Sequence, residues 1–150
     1  MPGLAEKLKS IFAISGRASR LDYWRTQVGL GLATAVVLTL TVLATQAGGW
    51  LGVVPCLLFL PVLAAGVAVS VRRLHDRGKA GWWMLVFAVG PYALSGLASL
   101  AYEDGATETL LISLVMALAA MALSLWAWIE LGFLRGARGE NRYGSEPARR

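Results

Sequence analysis

Residues 50–83 read "WLGVVPCLLFLPVLAAGVAVSVRRLHDRGKAGWW", and the change of character after Val71 decides the fold. From Trp50 to Val71 the chain carries no charge, over a length that matches the roughly 20 apolar residues needed to cross a bilayer core. Arg72, Arg73, Arg77 and Lys79 follow, and the chain turns apolar again at Trp82. The pattern is a span, a basic turn and another span. On either side, residues 26–45 and 110–133 qualify as spans beside 50–71 and 82–100. Backbone groups in lipid must bond within their own segment, so all four are expected to be helices. The short "QAGG" link at Gln46–Gly49 makes the first two an antiparallel hairpin. The expected fold is an all-α polytopic membrane protein with four transmembrane helices, forming one domain over residues 1–150.

Composition agrees. Hydrophobic residues make up 57% of the 150 positions and charged residues only 15%, against about a quarter charged in a soluble domain. The net charge of +5 would suggest nucleic acid in a soluble protein. In a membrane chain its distribution matters more. Lys7, Lys9, Arg17, Arg20 and Arg25 precede the first span, and Arg72, Arg73, Arg77 and Lys79 separate the second and third. Arg135, Arg138, Arg142, Arg149 and Arg150 follow the fourth, so all 14 basic residues fall on one side. The other side has the neutral turn and Glu103, Asp104 and Glu108. Basic loops stay in the cytoplasm. The expectation is therefore a membrane protein with a cytoplasmic segment at 1–25, a cytoplasmic tail at 134–150 and no nucleic-acid partner.

Aromatic residues sit where an interface needs them: Tyr23 and Trp24 open the first span, Trp50 the second, Trp82 and Trp83 the third. Trp126 and Trp128 lie deeper and are expected to pack between helices. Leu4, Leu8, Ile11 and Phe12 share one helical face, which predicts a short amphipathic helix on the inner leaflet, stopped by Gly16. One cysteine, Cys56, and one histidine, His75, leave no intrachain disulfide and no Cys/His metal site. Cys56 is expected to be a small packing residue. No metal, cofactor or catalytic residue is assigned.

Three stretches carry specific polar sequence: "GRASRLDYW" (Gly16–Trp24), "RRLHDRGKAGWW" (Arg72–Trp83) and "GENRYGSEP" (Gly139–Pro147). In that order around four spans they resemble the bacterial inner-membrane family catalogued as domain of unknown function 805. Ala80 stands where that family often has serine, and Glu140 departs mildly from its usual tail. The resemblance implies fold and location, and carries no catalytic residues with it.

Ser19 and Asp22 have capping-box spacing, so the first helix is expected to begin near Arg20. Gly78 and Gly81 admit backbone shapes closed to other residues. Gly81 also precedes a helix N-terminus, an anion-binding end. Arg17, Arg20, Arg72, Arg73, His75, Asp76, Arg77, Lys79 and Arg142 are thus candidates for holding the anionic headgroup of a membrane phospholipid, or a protein partner. Gly16, Asp22, Trp24, Gly78, Gly81, Trp82, Trp83, Asn141, Tyr143 and Gly144 would shape the motifs. Asp22, Asp76 and Glu140 are expected to pair with Arg17, Arg72, Arg73 or Arg142. A purely structural charged turn competes with this reading.

Glu130 is the acidic residue inside a span, about one turn from its inner end, and pairing with Arg25, Arg72 or Arg73 is expected. The preferred function is a non-enzymatic binding module. Two alternatives stand beside it. A small oligomeric transporter or channel would use Glu130 and kinked helices near Pro61 and Pro91. A lipid-acting enzyme would use His75 as base, without the further histidines or nucleophile such chemistry needs.

Overall fold

The structure, a computed structural model, describes residues 4–102 and 107–147. Glu103, Asp104, Arg149 and Arg150 lie outside the described residues. The elements are helical: α1 (Leu4–Phe12), α2 (Arg20–Ala47), α3 (Val53–Cys56), α4 (Phe59–Asp76), α5 (Gly90–Tyr102) and α6 (Thr107–Gly132). A 3₁₀ turn at Gly49–Gly52 leads into α3, and a π-helical turn at Leu85–Val89 leads into α5. Extended pairing among the described residues is limited to an isolated antiparallel bridge between Asn141 and Gly144.

Four segments are long and apolar enough to cross a membrane: Arg20–Ala47, Gly49–Asp76, Leu85–Tyr102 and Thr107–Gly132. They overlap the expected spans, though the third begins at Leu85 rather than Trp82 and the fourth ends at Gly132 rather than Phe133. At the basic end the first two run past them. The start of α2 shows why. The Ser19 side chain accepts from the Asp22 backbone N–H at 3.1 Å, and the Asp22 carboxylate accepts from the Ser19 backbone N–H at 3.3 Å. That capping box satisfies donors left open at a helix start, so α2 begins well before its apolar run. With 28 residues it is about 42 Å long against a hydrocarbon core of roughly 30 Å, and its first turns project beyond the core.

The two mid-span prolines mark the irregular turns. A proline removes a helical N–H, and its ring presses on the carbonyl four residues back. For Pro61 that carbonyl belongs to Leu57, where the helix breaks between α3 and α4. For Pro91 it belongs to Phe87, inside the π-helical turn. The kinks expected near these prolines therefore fall one turn ahead of them.

α1 ends at Phe12, earlier than expected, and Gly16 lies in the following link with φ +85°. α1 contacts α4. Ile11 and Phe12 are exposed, as a lipid-facing edge would be, while the side chains of Leu4 and Leu8 lie outside those described.

α2 packs along α3 and α4 as the first hairpin, and α5 along α6 as the second. Close approach in the first hairpin depends on Gly52, where a Cβ would lie 2.1 Å from Thr45 Oγ1. The buried core (Ala18, Tyr23, Val69, Leu74, Phe87, Ala127 and Leu131) draws on the start of α2 and the ends of α4 and α6. The hairpins thus join at their basic ends. Elsewhere they present apolar side chains outward, with Leu32, Leu63 and Val115 each about two-thirds exposed. Apolar area on that scale needs lipid or protein cover. Cys56, expected to be a packing residue, is instead exposed at the end of α3, on a turn whose side chains at Val53 and Val54 are exposed as well.

Candidate functional site

The end of α4 organises the polar side. Gly78 has φ +72°, a left-handed conformation that glycine adopts without a Cβ clash. Its N–H donates to His75 O at 3.0 Å, and the Lys79 N–H donates to Leu74 O at 2.9 Å. This is a Schellman motif, which satisfies the last carbonyls of the helix and turns the chain sharply. It keeps Arg73, His75 and Asp76 on the helix while sending Arg77 and Lys79 toward α6.

Arg73 is fully buried, with 0% exposure. Its Nε donates to Leu131 O at 2.9 Å, Nη1 to Ala18 O at 3.4 Å and to Asp76 Oδ2, and Nη2 to Leu134 O. Trp24 Nε1 donates to Gly132 O at 3.0 Å, and Arg20 Nη1 to Phe133 O at 3.2 Å. Carbonyls at the end of α6, which have no partner within the helix, are therefore taken by side chains from α2 and α4. A guanidinium there also meets the negative end of the helix dipole.

Asp76, 4% exposed, completes the knot. Its Oδ1 accepts from Arg17 Nε at 3.0 Å, Oδ2 accepts from Arg73, and its backbone O accepts from Ala137 N at 2.7 Å. Arg17 also donates to the carbonyls of Ala137, Gly139 and Gly144. His75 closes the other side. Its ring stacks on Tyr143 with centroids 3.8 Å apart and planes 5° apart, and Nδ1 lies 3.1 Å from Gly16 O. A carbonyl only accepts, so Nδ1 carries the proton. Asn141 Nδ2 donates to His75 O at 3.0 Å, and Asn141 Oδ1 accepts from Tyr143 N at 2.9 Å. The three polar stretches thus interlock through side chains.

Glu130, 3% exposed, pairs with neither Arg25, Arg72 nor Arg73. Its Oε1 lies 3.0 Å from Arg77 Nε and 3.0 Å from Lys79 Nζ. The Schellman turn is the cause, because it carries Arg77 and Lys79 across to α6. Lys79 Nζ also sits 4.7 Å from the Trp83 ring centroid, 5.5 Å from Trp126 and 5.9 Å from Phe87.

Beside the knot lies a cavity of about 710 Å³ between the start of α2 and the segment after α6. Arg20, Arg135 and Arg138, all exposed, line it together with Ser19. Leu21, Trp24 and Phe133 form its apolar wall and the Arg73–Asp76 pair its floor. Glu146, whose Oε2 accepts from Gly139 N at 2.9 Å, adds one carboxylate to the lining. Among the described residues no three His, Cys, Asp or Glu side chains gather as a metal site.

Comparison with known proteins places this architecture. Residues 11–145 match the family model described as a protein of unknown function, DUF805. The chain belongs to the DUF805 family. It is 32% identical over 142 residues to the uncharacterized protein YiiR of Escherichia coli K12, covering 91% of this chain and 86% of that one. It is 34% identical over 83 residues to the inner membrane protein YhaI of E. coli K12, covering 55% of this chain and 67% of that protein. The inner membrane protein YhaH of E. coli K12 shares 31% over 83 residues, covering 55% of this chain and 69% of that protein. No solved structure matches. With four apolar helices and inner-membrane relatives, this DUF805 chain is a membrane protein.

Within the DUF805 chain the candidate residues divide by exposure. Arg17, Arg73 and Asp76 are internal ties, with side chains at most 5% exposed. Arg72 is half-buried; its carbonyl accepts from Ala18 N, and its Nε is buried without a hydrogen-bond partner. Asp22 serves the cap, Glu140 is exposed, and Arg142 lies over the Tyr143 ring and 3.5 Å from Gly78 O. Gly81 packs near Val71, where a Cβ would come within 3.1 Å. Trp82 is exposed and stacks on Trp83, which reaches inward to Phe87 and Trp126. Arg135 and Arg138 do not stand out in the sequence, because nothing local distinguishes them from other basic residues of the tail.

Proposed function

We propose that this chain is a non-enzymatic module of the bacterial inner membrane whose basic end faces the cytoplasm and holds an anionic phospholipid headgroup. The orientation is supported by the placement of every lysine and arginine on that side of the spans. The observation that carries the binding reading is the cavity between Arg20, Arg135 and Arg138. Its guanidinium groups suit phosphate oxygens, while Leu21, Trp24 and Phe133 suit the glycerol and upper acyl region. Arg73 and Asp76 offset each other at its floor, and Arg20, Arg135 and Arg138 outnumber the one further carboxylate in the lining, Glu146, so the field favours an anion. A transporter built around Glu130 is disfavoured, since that carboxylate is held by Arg77 and Lys79 at the inner end of its helix.

Each basic residue near an anionic membrane surface contributes about 1 kcal/mol. Replacing Arg135 and Arg138 together by glutamine is therefore expected to weaken retention of anionic lipid by ~30-fold. Arg25→Gln, on the same end but outside the cavity, should cost no more than the ~5-fold of a single surface charge. Native mass spectrometry from mild detergent reads bound phosphatidylglycerol or cardiolipin directly. Equal retention in wild type and the double variant would reject the lipid reading, and a co-purifying protein lost only from the double variant would replace it.

A further inference from the structure

The surroundings of Lys79 are a site in their own right. Trp83, Phe87 and Trp126 form a triangle of rings whose centroids lie 5.2–5.7 Å apart. The Lys79 ammonium lies within 6 Å of all three centroids and 3.0 Å from Glu130 Oε1. Aromatic faces with a carboxylate are the chemistry by which proteins recognise ammonium groups. Two features separate this arrangement from an ordinary surface lysine contact. Phe87 belongs to the core, Trp83 packs against it, and Trp126 meets both rings edge-on, so the box does not depend on the lysine that fills it. Glu130 also keeps Arg77, which is anchored separately on Arg135 O. The carboxylate therefore stays paired if the lysine leaves.

We propose that the box of Trp83, Phe87, Trp126 and Glu130 is a binding site for a primary ammonium group, occupied in this structure by the chain's own Lys79. The 3.0 Å contact to Glu130 requires an N–H donor, which selects primary over quaternary ammonium. Lys79 is tied through its backbone N–H to Leu74 O, but its side chain is 26% exposed. It can swing out without disturbing the turn. Tethering gives the lysine an effective concentration in the millimolar range, so an external amine competes only where it is abundant. The headgroup layer is such a place when it contains ethanolamine phospholipid. A soluble primary amine offers the same chemistry. This site is independent of the arginine-lined cavity and does not rest on the lipid reading above.

The test uses Lys79→Ala in the full chain, with Lys79→Ser as a second variant; both retain the backbone bond to Leu74. In detergent, ethylammonium chloride at millimolar concentrations is expected to raise the thermal midpoint of either variant by several degrees. Wild type should not respond, nor should Lys79→Ala combined with Trp126→Leu, and tetramethylammonium should not substitute. In nanodiscs, phosphatidylethanolamine is expected to stabilise Lys79→Ala relative to phosphatidylcholine by more than it stabilises wild type. A response to ethylammonium without one to the lipid would assign the site to soluble amines. Equal responses of wild type and both single variants, an equal effect of tetramethylammonium, or failure of both variants to fold in any amine would overturn the proposal.

Discussion

Arg73→Ala is expected to abolish recovery of folded, monodisperse protein from detergent. The guanidinium is fully buried and serves Leu131 O, Leu134 O, Ala18 O and Asp76. Truncation removes those donors together. Breaking a buried ion pair from one side costs about 3–5 kcal/mol, and each carbonyl left dry adds about 1–3 kcal/mol. Against a typical net stability of about 5–15 kcal/mol, that loss is decisive. Arg73→Lys should fail as well, though less completely. A single ammonium keeps the charge near Asp76 but lacks the planar fork that reaches acceptors on three segments. Size-exclusion chromatography of a fluorescent fusion, with temperature as the variable, checks both. An Arg73→Ala profile and midpoint like wild type would show that the knot does not hold the helix ends together.

Gly136→Ala should approach the same severity from outside the ion pair. A Cβ there would lie 1.9 Å from Asp76 Oδ2 and 2.5 Å from its Cγ. The carboxylate must move, and it cannot do so without loosening Arg17 and Arg73 at once. The expected loss is about 3 kcal/mol or more, in the range for breaking a buried pair. Gly139→Ala is the contrast. Gly139 has φ +72°, but an added Cβ would meet nothing within 4 Å, so only backbone strain of about 1–2 kcal/mol is expected. Thermal midpoints of the two variants side by side separate steric displacement of Asp76 from simple turn strain. Equal losses would remove the special role of position 136.

Much of this molecule is legible in its sequence because bilayer thickness imposes a length that apolar runs display openly. The four crossings, the hairpin at Gln46–Gly49 and the cap at Ser19–Asp22 all follow from local rules. Helix ends are harder to place, since α2 continues to Arg20 through a polar interface where a capping box, rather than hydrophobicity, sets the limit. The site's internal division is harder still. Arg72 and Arg73 are neighbours of the same type, yet about 100° of helical rotation separates them. That angle sends one fully inside and leaves the other half-buried. Which face turns inward depends on how the hairpins meet, and no local pattern encodes it. The partners of Glu130 illustrate the same point, since Arg77 and Lys79 reach it only after the Schellman turn redirects the chain. The acceptors of Arg73 and Arg20 are backbone carbonyls at the end of α6, groups every residue possesses and no sequence singles out.

Lipid binding at the arginine-lined cavity requires above all that the basic end face the cytoplasm. Single cysteines at Ser145, on that end, and at Glu108, at the opposite end of α6, can be placed in a Cys56→Ser background. Each is treated with a membrane-impermeant maleimide in intact cells and again after the inner membrane is opened. With the basic end in the cytoplasm, Glu108→Cys labels in intact cells and Ser145→Cys only after opening. Labelling of Ser145→Cys in intact cells, with Glu108→Cys protected, would contradict that orientation.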